Sequence, residues 1–87
     1  MPDDVVPKAA EKIRQYIADH NPALRLESLE IDVPLTGVID SLAVLGLIGF
    51  IEPEFSIEVT PSDVTDENFV TIGTIADLVG RLSQIRA

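Results

Sequence analysis

The sequence predicts an all-α protein, a four-helix bundle with a short third helix and a long first loop. Three observations point there. Apolar residues recur at three-and-four spacing in three separated segments, no strong strand pattern interrupts them, and Thr, Asp and Pro stand where helices start and stop. The 87 residues make a single domain, 1–87. At that size folding buries about two-thirds of the surface of the unfolded chain, so the core is modest. Aromatic residues make up 5 % and Trp is absent, which leaves Leu, Ile, Val and Ala to build it.

The first helix is carried by Val6, Ala9, Ala10, Ile13, Tyr16, Ile17 and His20, one face at helical spacing. Pro7 belongs in its first turn, where a missing amide hydrogen costs nothing, and Asn21-Pro22 closes it. Between Pro22 and Asp40 the periodicity disappears, yet Leu24, Leu26, Leu29, Ile31, Val33 and Leu35 keep the segment apolar. A connection of that length and composition is expected to wrap onto the core, with room for a short strand or helical turn near Arg25 to Ile31.

Asp40 caps the second helix, whose core positions are Val44, Leu47, Ile48, Ile51 and Phe55. Pro53 is expected to bend or loosen it near Glu52. In TPSDVTDENF, Thr60, Pro61 and Asp63 have the arrangement of a capping box and start a short third helix reaching about Asp66. Thr71 then caps the final helix, with Ile72, Ile75, Leu78, Val79, Leu82 and Ile85 on one face.

The second helix has a second apolar face. Ser41 to Ile51 is an eleven-residue run without a charged side chain, and once the core positions are removed Leu42, Leu45, Gly46, Gly49, Phe50 and Pro53 also recur at helical spacing. A bundle this small has too little protein to cover both faces, unless the long loop folds over one of them; an uncovered apolar face marks a binding surface. Two helix-interior glycines suggest that something approaches the backbone closely, since each costs about 1 kcal/mol relative to Ala. Glu52, Glu54, Asp63, Asp66 and Glu67 are expected to rim this patch with negative charge.

The charge distribution sharpens that expectation. Net charge is −9, and residues 26 to 80 hold eleven acids with no Lys or Arg. Such a field repels nucleic acid and anionic lipid and attracts basic protein surfaces. The chain has no Cys, which removes disulfides, thiolate metal sites and a Cys nucleophile. Neither a secretory leader nor a run of about 20 apolar residues is present, so a cytoplasmic monomer is expected.

Ser41 follows the capping Asp40 at the first turn of a helix. Backbone amides and the positive end of the helix dipole favour a phosphodiester at that position, although an ordinary helix start reads the same way. DVPLTGVIDSL, the apolar helix after it, and EPEFSIEVTPSDVTDENFVTIGTIADLV resemble the acyl carrier proteins and peptidyl carrier domains, from the first helix to Val79. The resemblance implies that Ser41 receives 4′-phosphopantetheine from coenzyme A and that Asp40 helps to hold the magnesium ion used by the transferase. It implies that Leu42 and the outward face of the second helix (Leu45, Gly46, Gly49, Phe50, Glu52) dock partner enzymes. Those partners are a phosphopantetheinyl transferase, a cargo-loading ligase or acyltransferase, and downstream synthase or tailoring enzymes. The thiol that the chain lacks then belongs to the prosthetic arm, and the protein is a non-catalytic carrier. Two departures, the absence of acids between Ser41 and Ile51 and the proline at position 53, point to a discrete stand-alone carrier for a polyketide, nonribosomal peptide or other specialised pathway.

Three other readings compete. A small acidic helical adaptor could use the same face without a prosthetic group. A Ser41 nucleophile would need a base, for which His20 is the sole histidine, and neither a strand-to-helix elbow nor an oxyanion site is evident. Metal binding by Asp63, Asp66 and Glu67 lacks the spacing and the glycine of a calcium loop.

Overall fold

The computed structural model describes residues 2–21, 29–32, 34–35 and 41–86. Among them the protein is all helical, with no strand. The order is α1 (Pro2–Asp19), α2 (Ser41–Phe55), two single 3₁₀ turns (Pro61–Asp63 and Glu67–Phe69) and α3 (Ile72–Arg86). Where a short third α-helix reaching Asp66 was expected, the chain makes the first of those 3₁₀ turns. The capping residues specify the start of a helix, but VTDE offers no apolar stripe to carry it further.

The core follows the predicted periodicity. Ala9, Ile13 and Ile17 of α1, Leu47 and Ile51 of α2, and Ile72, Ile75, Ala76 and Val79 of α3 form one buried cluster. Ile85 was expected on the α3 face, and its side chain lies outside those described. Helix α1 packs far more extensively on α3 than on α2. Gly80 permits that approach, because a Cβ there would stand 2.8 Å from Val6 Cγ2. Pro7 lies inside α1 rather than in its first turn. The helix starts at Pro2, one turn earlier than the apolar face requires, so the ring forfeits a single hydrogen bond, the one to the Asp3 carbonyl.

The described part of the first connection lies on the core, as its composition predicts. Leu29 and Leu35 are buried while Ile31 faces solvent. The Leu35 amide donates to the Val70 carbonyl and the Gly73 amide to the Ile31 carbonyl, both at 2.7 Å, which ties this segment to the start of α3. Residues 22–28, including most of the stretch read as a short strand or helical turn, lie outside the described residues.

Three helix ends are satisfied by local contacts. At the start of α3 the Thr71 hydroxyl accepts the Thr74 amide at 3.1 Å, and the Thr74 hydroxyl accepts the Thr71 amide at 3.1 Å. At the end of α1 the Asn21 side-chain amide donates to the Ile17 carbonyl at 2.8 Å, and His20 Nδ1 bonds the Tyr16 carbonyl at 2.9 Å. Helix α2 runs through Pro53 to Phe55 and ends with Ser56 at φ 55°, followed by an Ile57 amide donating back to the Glu52 carbonyl at 3.1 Å. That is a Schellman closure with serine where glycine is the usual residue. Ser56→Gly is therefore expected to stabilise the protein by about 0.5–1 kcal/mol, read as a higher urea midpoint with unchanged slope.

The Thr60 turn closes on its own first residue through a titratable group. The Asp63 carboxylate accepts the Thr60 amide at 3.0 Å and the Thr60 hydroxyl at 2.9 Å. The amide, then the hydroxyl, and finally Arg81 hold the Asp63 carboxyl below its ordinary value. A depressed folded pKa contributes stability above the unfolded value and loses it as pH falls through the folded one. Below the usual carboxylate range the urea midpoint should therefore fall less steeply in Asp63→Asn than in the parent.

Candidate functional site

The candidate site is built on α2. Leu47 and Ile51 anchor its inner side, while Val44, Ile48 and Phe55 are half-buried. Its other side presents Leu42 at 77 % and Leu45 at 63 % exposure, flanked by exposed Gly49 and Pro53. An apolar residue that exposed on a helix whose opposite side is core is not needed for folding, and these two sit one turn apart at the start of α2.

Ser41 is the first residue of α2, so it stands at the positive end of the helix dipole. Its side chain, and the whole of Asp40, lie outside the described residues. The adjacent Leu42 stands in solvent, which places this end of α2 at the surface.

Two expectations about the outward face need correction. Phe50 does not belong to it: the ring stacks on Tyr16 at a centroid distance of 4.8 Å and packs against the core. Tyr16 in turn stacks on His20 at 4.0 Å, so three rings form a ladder from α2 to the end of α1. Gly46 is exposed, as expected of the outward face, but the close approach to it is made by the protein itself, since a Cβ there would stand 2.9 Å from the Tyr16 hydroxyl. Gly49 is the open member of the pair: a Cβ added there would meet nothing within 4 Å.

The acidic rim is also reassigned in part. Glu52 Oε2 accepts the Val59 amide at 2.9 Å, and Glu54 pairs with Lys12 of α1 at 2.8 Å. Glu52 thus holds the loop after α2, and Glu54 is shared with a lysine; an exposed pair of that kind contributes about 0–1 kcal/mol. Glu52 keeps its charge but is held against the Val59 amide, and the charge of Glu54 is offset in part by Lys12. Both contacts depend on the chain reversal at Ser56 and the α1–α2 packing, which no local motif announces.

A cleft of about 260 Å³ opens beside this end of α2. Tyr16, Ile17 and His20 border it from α1, and Leu42, Gly46 and Leu47 from α2. Sequence reading missed it, because it exists only where the end of one helix meets the start of another. His20 lines it with Nδ1 already committed to the Tyr16 carbonyl.

Among the described residues no three His, Cys, Asp or Glu side chains converge to hold a metal ion, Asp63, Asp66 and Glu67 included. Among the same residues no helix is long and apolar enough to cross a membrane. Neither a protein-family model nor a curated protein sequence matches the chain.

Proposed function

We propose that the protein is a carrier that bears 4′-phosphopantetheine on Ser41, tethers an acyl or aminoacyl thioester, and delivers it to partner enzymes of a specialised biosynthetic route. The observation that carries this reading is the start of α2. Ser41 opens a helix of 15 residues immediately before Leu42, which stands in solvent, and the helix is anchored from behind by Leu47 and Ile51. A phosphodiester at that position meets the positive end of the helix dipole. The arm supplies the thiol that the chain lacks, and its thioester holds the cargo. The protein's own residues provide the anchor, the exposed docking side of α2 and a frame that keeps both at the surface.

In this reading the Pro61–Asp63 turn is the reduced third member of a four-helix carrier bundle, and the protein works as a cytoplasmic monomer. A phosphopantetheinyl transferase, a loading ligase or acyltransferase, and later synthase or tailoring enzymes visit it in turn. The same exposed leucines would serve a small acidic adaptor with no prosthetic group. Intact mass separates the two: incubation with coenzyme A and a broad-specificity transferase adds one phosphopantetheine to the carrier. An unchanged mass, under conditions that modify a control carrier, overturns the proposal.

Because Glu52 and Glu54 are engaged within the fold, contact with partners is expected to rest on Leu42 and Leu45. Salt near 1 M, where the screening length is about 3 Å, should slow association of the transferase and leave its dissociation rate unchanged. Leu45→Asp should speed dissociation about tenfold or more without lowering the melting temperature, measured by surface-immobilised binding kinetics and calorimetry.

A further inference from the structure

We infer that the groove between α1 and residues 29–31 is a second docking surface, which takes an apolar side chain carried on a basic segment of a partner protein. The inference starts from Ile31. Its neighbours Leu29 and Leu35 are buried, yet Ile31 itself is 56 % exposed. Its main chain is fixed all the same, because the Ile31 carbonyl accepts the Gly73 amide at 2.7 Å. Gly73 makes room for that bond, since a Cβ there would stand 3.0 Å from the carbonyl oxygen. The side chain is therefore presented to solvent from a pinned backbone. Nor does it stand singly: Pro7, Ala10 and Leu29 border the same groove, so the exposed apolar surface is continued by its neighbours.

The rim sets the sign of the occupant. Glu30 and Asp32 flank Ile31 in the chain, both are exposed, and neither pairs with a base among the described residues. On the opposite bank Glu11 pairs with Arg14 at 3.2 Å, so these two offset each other. In a chain of net charge −9, an apolar groove with two carboxylates beside its exposed isoleucine is complementary to Leu, Ile or Phe set among Lys or Arg. A segment rich in acids is repelled at long range.

The groove lies on the flank of α1 away from α2. Lys12 and Tyr16 reach α2 through Glu54 and Phe50, whereas Pro7, Ala10, Glu11 and Arg14 border the groove. Helical spacing puts these two sets on different sides of α1. A partner held here leaves Leu42 and Leu45 uncovered, so both surfaces can be occupied at once, with or without an arm on Ser41.

The probe is the peptide acetyl-KKLKK-amide, titrated into the isotopically labelled full chain, with acetyl-KKSKK-amide as the charge-only control. Amide resonances of Ala10, Glu30, Ile31 and Gly73 should shift with a Kd of about 1 mM or tighter, and the serine peptide should bind more weakly by about fivefold or more. Ile31→Ser should weaken the leucine peptide by a similar factor at an unchanged melting temperature, while Leu45→Ala leaves the shifts at these four amides as they are. The assignment is overturned by any of three results: no shift at these amides with about 10 mM peptide, equal binding of the two peptides, or shifts that centre on Leu42 and Leu45. Uptake of phosphopantetheine is read separately by intact mass, so the carrier reading stands or falls apart from this one.

Discussion

Alanine at position 41 is expected to leave a folded protein that takes up no phosphopantetheine. The fold of α2 is secured elsewhere, by Leu47 and Ile51 in the common core, by the Glu52 carbonyl closing on Ile57, and by the Lys12 pair with Glu54. Removing one hydroxyl at the first residue of the helix costs at most a cap, about 1 kcal/mol, which lowers the melting temperature by about 4–8 °C in a domain of this size. In the proposed carrier, transfer of the arm needs the Ser41 oxygen as the attacking atom and has no substitute for it. Intact mass after exhaustive incubation should show a single species at the unmodified mass for Ser41→Ala and full conversion for the parent. Circular dichroism on the same samples should show equal helicity. Modification of the alanine variant would place the arm on another hydroxyl and break the link between the reading and the start of α2.

The largest loss of stability is expected for Ile51→Ala. Ile51 is fully buried and joins α2 to the cluster that Ile13, Ile17 and Ile75 build from the other two helices. Truncation removes buried methyl and methylene groups and leaves a cavity in a core with little surrounding mass to collapse into it. A cost of about 3–4 kcal/mol follows. Against a total of about 5–10 kcal/mol for a small domain, that is a large share, and it lowers the melting temperature by about 12 °C or more. Leu45→Ala removes a similar side chain from the same helix, one that is 63 % exposed, and should change stability by less than about 0.5 kcal/mol. Thermal melts of the two variants side by side test the division of α2 into a core side and a docking side. Equal losses would refute it.

The separation of α2 into a buried side and an exposed side was legible in the sequence, because helical spacing assigns each residue of 41–55 to a face and a chain this small has little protein to cover both. Thr71 and Thr60 were legible for a related reason: a cap is a local hydrogen bond between residues three apart. Features that depend on where helices meet were not. Phe50 was assigned to the outward face by its spacing, yet it stacks on Tyr16, the same side chain that the Cβ direction of Gly46 meets one turn earlier, so this stripe of α2 faces α1. Gly46 looked like a space kept for a visitor; it stays exposed, and the protein's own Tyr16 hydroxyl reaches its edge. Glu52 and Glu54 read as free rim charge until Ser56 turns the chain through a left-handed conformation that no glycine advertises. The start of α1 was misplaced because apolar spacing locates the buried part of a helix and is silent about a polar turn added before it.

The unequal packing of the three helices has a mechanical consequence. With Gly80 close against Val6, α1 and α3 are the most extensively packed pair of helices among the described residues. Helix α2 is bolted to it by a short row of side chains and one lysine. In the proposed carrier, that asymmetry would let α2 adjust its seat against differently shaped partner surfaces without disturbing the α1–α3 pair.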